Sequence, residues 1–213
     1  MLLGEPISYF LFELLGLALF IVCLHYASKH RHLTTYAATN ELIMFFIYGF
    51  CLEVIAVRNN FYSYGVFRFQ VLETPLVIAS GWAVIGFSVM WFSDALNSPE
   101  WVKPFSDAML ALLIDLSMDT IAIRDIYGLK GESSGMWNWG IPFDSEWFGV
   151  PYGNLISWWV IVFLMSSSLR LGRYANRWFA TRFLSYTYPI FAMVSALLVF
   201  LVLLSLFVSH YLQ

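Results

Sequence analysis

The sequence predicts an all-α integral membrane protein: one compact bundle of about six transmembrane helices, with a long ordered aromatic loop between the fourth and fifth. Three observations carry this expectation. Of the 213 residues, 60% are hydrophobic and only 12% charged, where soluble domains carry about 25% charged residues. The mean hydropathy is +0.72. The apolar residues also come in long runs rather than in the one-sided stripes of soluble amphipathic helices.

A helix crossing a bilayer takes about 20 residues, and six runs approach or exceed that. The first, residues 7–26, follows the N-terminal stretch MLLGEPISYF. That stretch has no basic region and no small-residue cleavage site follows it, so the run reads as a retained helix rather than a signal peptide. The second (42–57) and fifth (155–171) are short and extend into their flanks; the third spans 75–92 and the sixth 188–209. The fourth, 108–124, reads AMLALLIDLSMDTIAIR and is apolar enough for lipid despite Asp115 and Asp119. No internal repeat, low-complexity tract or linker is visible, which predicts a single transmembrane domain over 1–213.

The fourth run organises the functional reading. An acidic residue near the middle of a membrane helix costs about 2.5–3.5 kcal/mol even on lenient insertion scales, so its default reading is functional. Spacing of four residues puts Asp115 and Asp119 on one helix face, about 6 Å apart. Two carboxyls that close, in low dielectric, share a proton rather than both ionising. The structural alternative is an Asp bonded to neighbouring Ser, Trp or backbone groups that ties the bundle together.

Basic residues orient the chain. Loops one, three and five hold Lys29, Arg31, Lys103, Arg170, Arg173, Arg177 and Arg182, against Arg58, Arg68, Arg124 and Lys130 in loops two and four. The positive-inside rule then places the odd loops, with the Arg-rich loop five, in the cytoplasm and both termini outside. Glu13, Glu53 and Asp119 fall in the outer half, with Asp115 near mid-depth. Asp94 and Asp107 lie near cytoplasmic helix ends, where they read as caps or solvated rim residues. Glu13 reads either as a snorkelling residue or as part of a cavity wall.

Other function classes are poorly supported. The net charge of −3 comes with no basic patch suited to nucleic acid. Neither Cys23 and Cys51 nor the four His show metal-ligand spacing, and the two cysteines read as free thiols. Loop four, DIYGLKGESSGMWNWGIPFDSEWFGVPYGN, is too long for a simple connection. Its Trp137, Trp139, Trp147 and Phe148 suit an interfacial belt. A belt does not require Asn138, Asp144, Glu146 and Asn154 among them, nor a Gly149-Val150-Pro151 that redirects the chain.

The second and third segments, FIYGFCLEVIAVRNNFYSYGVF and ETPLVIASGW, resemble one signature of the membrane carotenoid biosynthesis proteins. The fourth segment and its loop, DLSMD, MWNWGIP and WFGVPYGNLISWW, resemble the second. The resemblance covers residues 46–159. It departs at Thr120, where the family often has Pro, and at Leu155, where it often has Phe; the chain is also short for the family. The resemblance implies a bacterial inner-membrane protein and a cofactor-independent hydratase, of the kind acting on gamma-carotene-type and bisanhydrobacterioruberin-type ends, with no metal.

Hydrating a trisubstituted alkene needs an acid, stabilisation of a tertiary cation, and directed water. A carboxylic acid kept neutral by burial or by a second carboxylate is a stored proton. Aromatic faces stabilise a cation by about 1–2 kcal/mol each when desolvated. On this reading Asp115 or Asp119 is the acid, the other tunes it, and Glu53 positions water or takes its proton. Trp137, Trp139, Trp82, Tyr64 and Trp147 line the pocket, and Asn154 holds water or a loop carbonyl. Partners are then a carotenoid or other long isoprenoid, membrane lipid, and either a second copy or pathway enzymes. Two other classes use the same residues. A magnesium-dependent intramembrane prenyltransferase would use DLSMD with Asp125, and a non-catalytic protein of the same fold would bind carotenoid or lipid.

Overall fold

The computed structural model describes residues 7–29, 35–65, 67–123, 135–140, 146–179 and 182–211. Arg31, Arg124, Asp125, Lys130 and Asp144 lie outside the described residues. Among the described residues, six helices form the bundle: α1 (Ile7–Lys29), α2 (Thr35–Arg58), α3 (Leu76–Ala95), α4 (Lys103–Ala122), α5 (Tyr152–Phe179) and α6 (Arg182–Tyr211). The protein is an all-α membrane protein, and five of these helices are long and apolar enough to cross a bilayer.

The exception is α4, which the sequence reading took to be apolar enough on its own. It starts earlier than expected and so includes Lys103 and Asp107 beside Asp115 and Asp119. All four are buried in the bundle, whereas Phe105, Met109, Leu113, Ile114 and Ile121 face outward. Thus α4 meets lipid with an apolar side and turns its charges inward.

Helix α3 sits centrally against α1, α2 and α4; α5 packs on α4 and α6, and α6 also on α2. In lipid, helices gain little by burying apolar area from one another, so close packing around small residues holds them. A Cβ at Gly49 of α2 would lie 2.2 Å from Trp82, and one at Gly86 of α3 would lie 2.4 Å from Phe45. Both positions let a large ring from the neighbouring helix reach the backbone.

Among the described residues, six short strands cap one end of the bundle: β1 (Tyr62–Tyr64), β2 (Gln70–Val71), β3 (Thr74–Pro75), β4 (Trp137–Trp139), β5 (Glu146–Trp147) and β6 (Val150–Pro151). They correct the expectation of no internal repeat. The order helix, strand, tight hairpin, proline, helix occurs twice, in α2 to α3 and in α4 to α5. The two hairpins are β2–β3 and β5–β6. Each turns on two residues with positive φ, Leu72 and Glu73 in one, Phe148 and Gly149 in the other. Gly149 also needs its missing side chain, since a Cβ would approach Ile123 to 2.7 Å.

The two halves meet through β1 and β4, which pair antiparallel with Ser63 opposite Asn138. Gly65 N donates to Met136 O, and Gly140 N donates to Phe61 O, at matching places in the two halves. Tyr62-Ser63-Tyr64-Gly65 thus corresponds to Trp137-Asn138-Trp139-Gly140, and Trp82 and Trp158 each stand seven residues after their proline. Those two indoles stack with centroids 3.8 Å apart and planes at 8°.

Candidate active site

Alternation along a strand puts residues i and i+2 on one side, so Tyr62 and Tyr64 share a face of the β1–β4 ribbon with Trp137 and Trp139. Tyr62 meets Trp139 edge to face at 5.5 Å, and Tyr64 meets Trp137 likewise at 6.3 Å. Directly beneath lies Glu53, nearly fully buried on α2. Its Oε2 accepts hydrogen bonds from the hydroxyls of both Tyr62 and Tyr64. Its Oε1 accepts one from Trp82 Nε1 at 2.7 Å. Burial, and then the adjoining Glu53 carboxyl, push both phenols well above the usual tyrosine range. The two phenols therefore remain donors, and with the Trp82 indole they hold Glu53 by three hydrogen bonds.

Across from Glu53 stand Asp115 and Asp119, both buried. Asn154, in the first turn of α5, donates from Nδ2 to Asp119 Oδ2 at 2.7 Å and to Asp115 Oδ2 at 3.4 Å. The two carboxyls also contact each other as hydrogen-bond partners. Asn154, which the sequence offers as a holder of water or a loop carbonyl, bridges the carboxyl pair through Nδ2. Asp115 Oδ1 is buried with no partner among the described residues.

Between these groups lies a cavity of about 290 Å³. Glu53, Asp119, Asn154, Tyr62 and Tyr64 supply its polar wall, and Trp82, Trp137, Trp139 and Trp158 its flat apolar wall. The volume sits at the lower end of ligand pockets, about 300–1,000 Å³, which suits the end of a long molecule rather than the whole of one. Asp115 is not on the wall; it stands behind Asp119. Trp147 is not brought to the site either: it is 43% exposed and packs on Phe148 at the β5–β6 turn.

Glu13 neither snorkels nor lines the cavity. It is fully buried and accepts from the backbone N–H groups of Arg68 and Phe69, each at 3.0 Å, so it pins loop two onto α1. Tyr62 and Trp158 are among the wall residues that the sequence did not single out. Their signal was present: each repeats, in the other half of the chain, an aromatic already chosen.

The opposite end of the bundle holds a second polar cluster. Asp107 is fully buried, not a cap or rim residue, because Arg170 of α5 reaches it at 2.9 Å and Ser166 donates to it. Arg170 also pairs with Asp94, which Arg173 meets at 2.8 Å. Arg173 continues to Glu41 of α2, where Tyr188 of α6 donates at 2.6 Å. Arg170 and Arg173, counted above as loop residues, thus lie inside a longer α5 and stitch α2 through α6 together.

The family model described as "carotenoid biosynthesis protein" matches residues 8–213. No curated protein and no solved structure matches the chain. The match runs through both helix–strand–helix halves, the cavity between them and the charged cluster below. The chain belongs to the carotenoid biosynthesis protein family.

Proposed function

We propose that this chain is an intramembrane carotenoid hydratase that adds water across a terminal C=C without a cofactor. The observation that carries this reading is the placement of Asp119 on a cavity wall, backed by Asp115 and bridged by Asn154, opposite a Glu53 fixed by three donors. The carboxyl pair holds one proton between its members. Asp119 delivers that proton to the less substituted alkene carbon, which leaves a tertiary cation among Trp82, Trp137, Trp139 and the tyrosines. Water adds to the cation through oxygen, and its surplus proton passes to a carboxylate, restoring the pair. Glu53 positions that water. In this reading the site faces outward and the Arg170–Arg173 end faces the cytoplasm, in keeping with the bias of basic residues.

The test is expression beside a lycopene pathway, followed by pigment extraction and mass analysis. The expected product gains one water per reacted end. Asp119→Asn lowers conversion by about 10²–10⁴-fold, the usual worth of a general acid, and Asp115→Asn lowers it by removing the shared proton. Unchanged pigment from Asp119→Asn refutes the assignment. Bound polyene with no gain of water from the intact protein favours the non-catalytic reading.

A further inference from the structure

Of the two glycines in α3, packing accounts for only one. A Cβ at Gly86 would press on Phe45, whereas one at Gly81 would meet nothing within 4 Å. Glycine inside a helix costs about 0.5–1 kcal/mol relative to Ala. The matching position in the second half, the residue before Trp158, is Ser157. The helix pair therefore has no need of glycine here. Gly81 lines the cavity, so the space that a side chain would fill is cavity space.

The same cavity reaches the surface sideways. Leu15 and Leu19 of α1 line it from one side, and Ile114 and Met118 of α4 from the other. Leu15, Leu19 and Ile114 are also exposed on the outside of the bundle. Both helices flank α3, so the gap between them opens towards lipid with Gly81 on its floor. Beside Gly81 the stacked Trp82 and Trp158 give that floor a flat edge, which suits a planar conjugated chain.

Building on the substrate class proposed above, we infer that Gly81 is the specificity-determining residue for a linear isoprenoid entering between α1 and α4. The shaft of the chain lies across the bare backbone at Gly81 while its end reaches Asp119 under the aromatic ribbon. A side chain at this position shortens the site and excludes the chain without disturbing the helix pair.

The experiment uses the full-length protein purified in detergent from a lycopene-producing host, with bound lycopene per protein read by visible absorbance and folding read by Tm. Gly81→Ala should keep or raise Tm and reduce bound lycopene about fivefold, and Gly81→Leu should reduce it by more than about tenfold, as overpacking of a filled site demands. Val199→Phe, on the outward face of α6, should change neither readout. Undiminished lycopene in Gly81→Leu overturns the inference, as does a parent protein that binds none. A Gly81→Ala protein that fails to fold also overturns it, because the open space would then be absent. The hydratase reading fails separately: binding that is lost on Gly81→Leu while the parent adds no water removes the chemistry and leaves Gly81 in place.

Discussion

Glu53→Gln is an isosteric change with an uneven cost, because three donors converge on one carboxyl. An amide oxygen at the Oε2 position still accepts from Tyr62 and Tyr64. The NH₂ then occupies the Oε1 position, 2.7 Å from Trp82 Nε1, so donor faces donor. Trp82 is only 4% exposed, and among the described residues Glu53 Oε1 is the acceptor recorded for its indole N–H. Orphaning a buried donor costs about 1–3 kcal/mol. Flipping the amide gives up both phenol-to-oxygen hydrogen bonds to keep the one from Trp82, so the first arrangement prevails. The assay is a double-mutant cycle with Trp82→Phe, read by reversible unfolding in mixed micelles. Once the indole N–H is absent, Glu53→Gln should cost about 1–3 kcal/mol less than in the parent. Additivity within about 0.5 kcal/mol would refute the idea that Glu53 holds the indole. Because the cavity volume does not change, bound pigment should persist in Glu53→Gln while conversion falls.

The charged end of the bundle makes a second prediction. Arg170→Met strands Asp107 in the interior and should destabilise by about 3–5 kcal/mol, whereas adding Asp107→Leu should return much of that loss; a single-variant cost under about 1 kcal/mol in the same unfolding assay refutes the stitch. The tyrosines make a third. The phenols of Tyr62 and Tyr64 are raised in the folded protein, so the stability they confer is complete below the free tyrosine value of about 10. It is lost only as pH climbs through their raised values. Phenolate absorbance up to pH about 10.5 should therefore be the same for the parent and for a Tyr62→Phe, Tyr64→Phe double variant. Fewer phenolates in the double variant would show that both titrate normally.

Much of the architecture was readable from runs of apolar residues, since a bilayer imposes length and polarity on each helix independently of its neighbours. The same logic found Asp115 and Asp119, because charge inside such a run stands out, and a spacing of four fixes their common face. It also picked Glu53 from its place in the second run. Residues whose setting depends on a distant partner are not legible in this way. Asp107 looked like a rim residue because its partner Arg170 is 63 positions away. Glu13 was ambiguous because what it binds is backbone, which carries no sequence signal. Pairing of β1 with β4 was legible in principle, through two aromatic-polar-aromatic-Gly tetrads, but the unequal stretches between helix and tetrad in the two halves hide the correspondence.

An α4 that hides four charged side chains inside the bundle is a poor candidate for entering the membrane alone. On insertion scales a central Asp is unfavourable by about 2.5–3.5 kcal/mol, and α4 presents Asp115 and Asp119 to whatever surrounds it before α5 exists. Asn154, which bridges these acids, and Ser166 and Arg170, which meet Asp107, are made later in synthesis, on α5. Entry of α4 together with α5, as a hairpin, spares the bilayer that cost. The carboxyls of the fourth helix thus bear on its assembly as well as on the cavity, since their partner Asn154 belongs to the fifth.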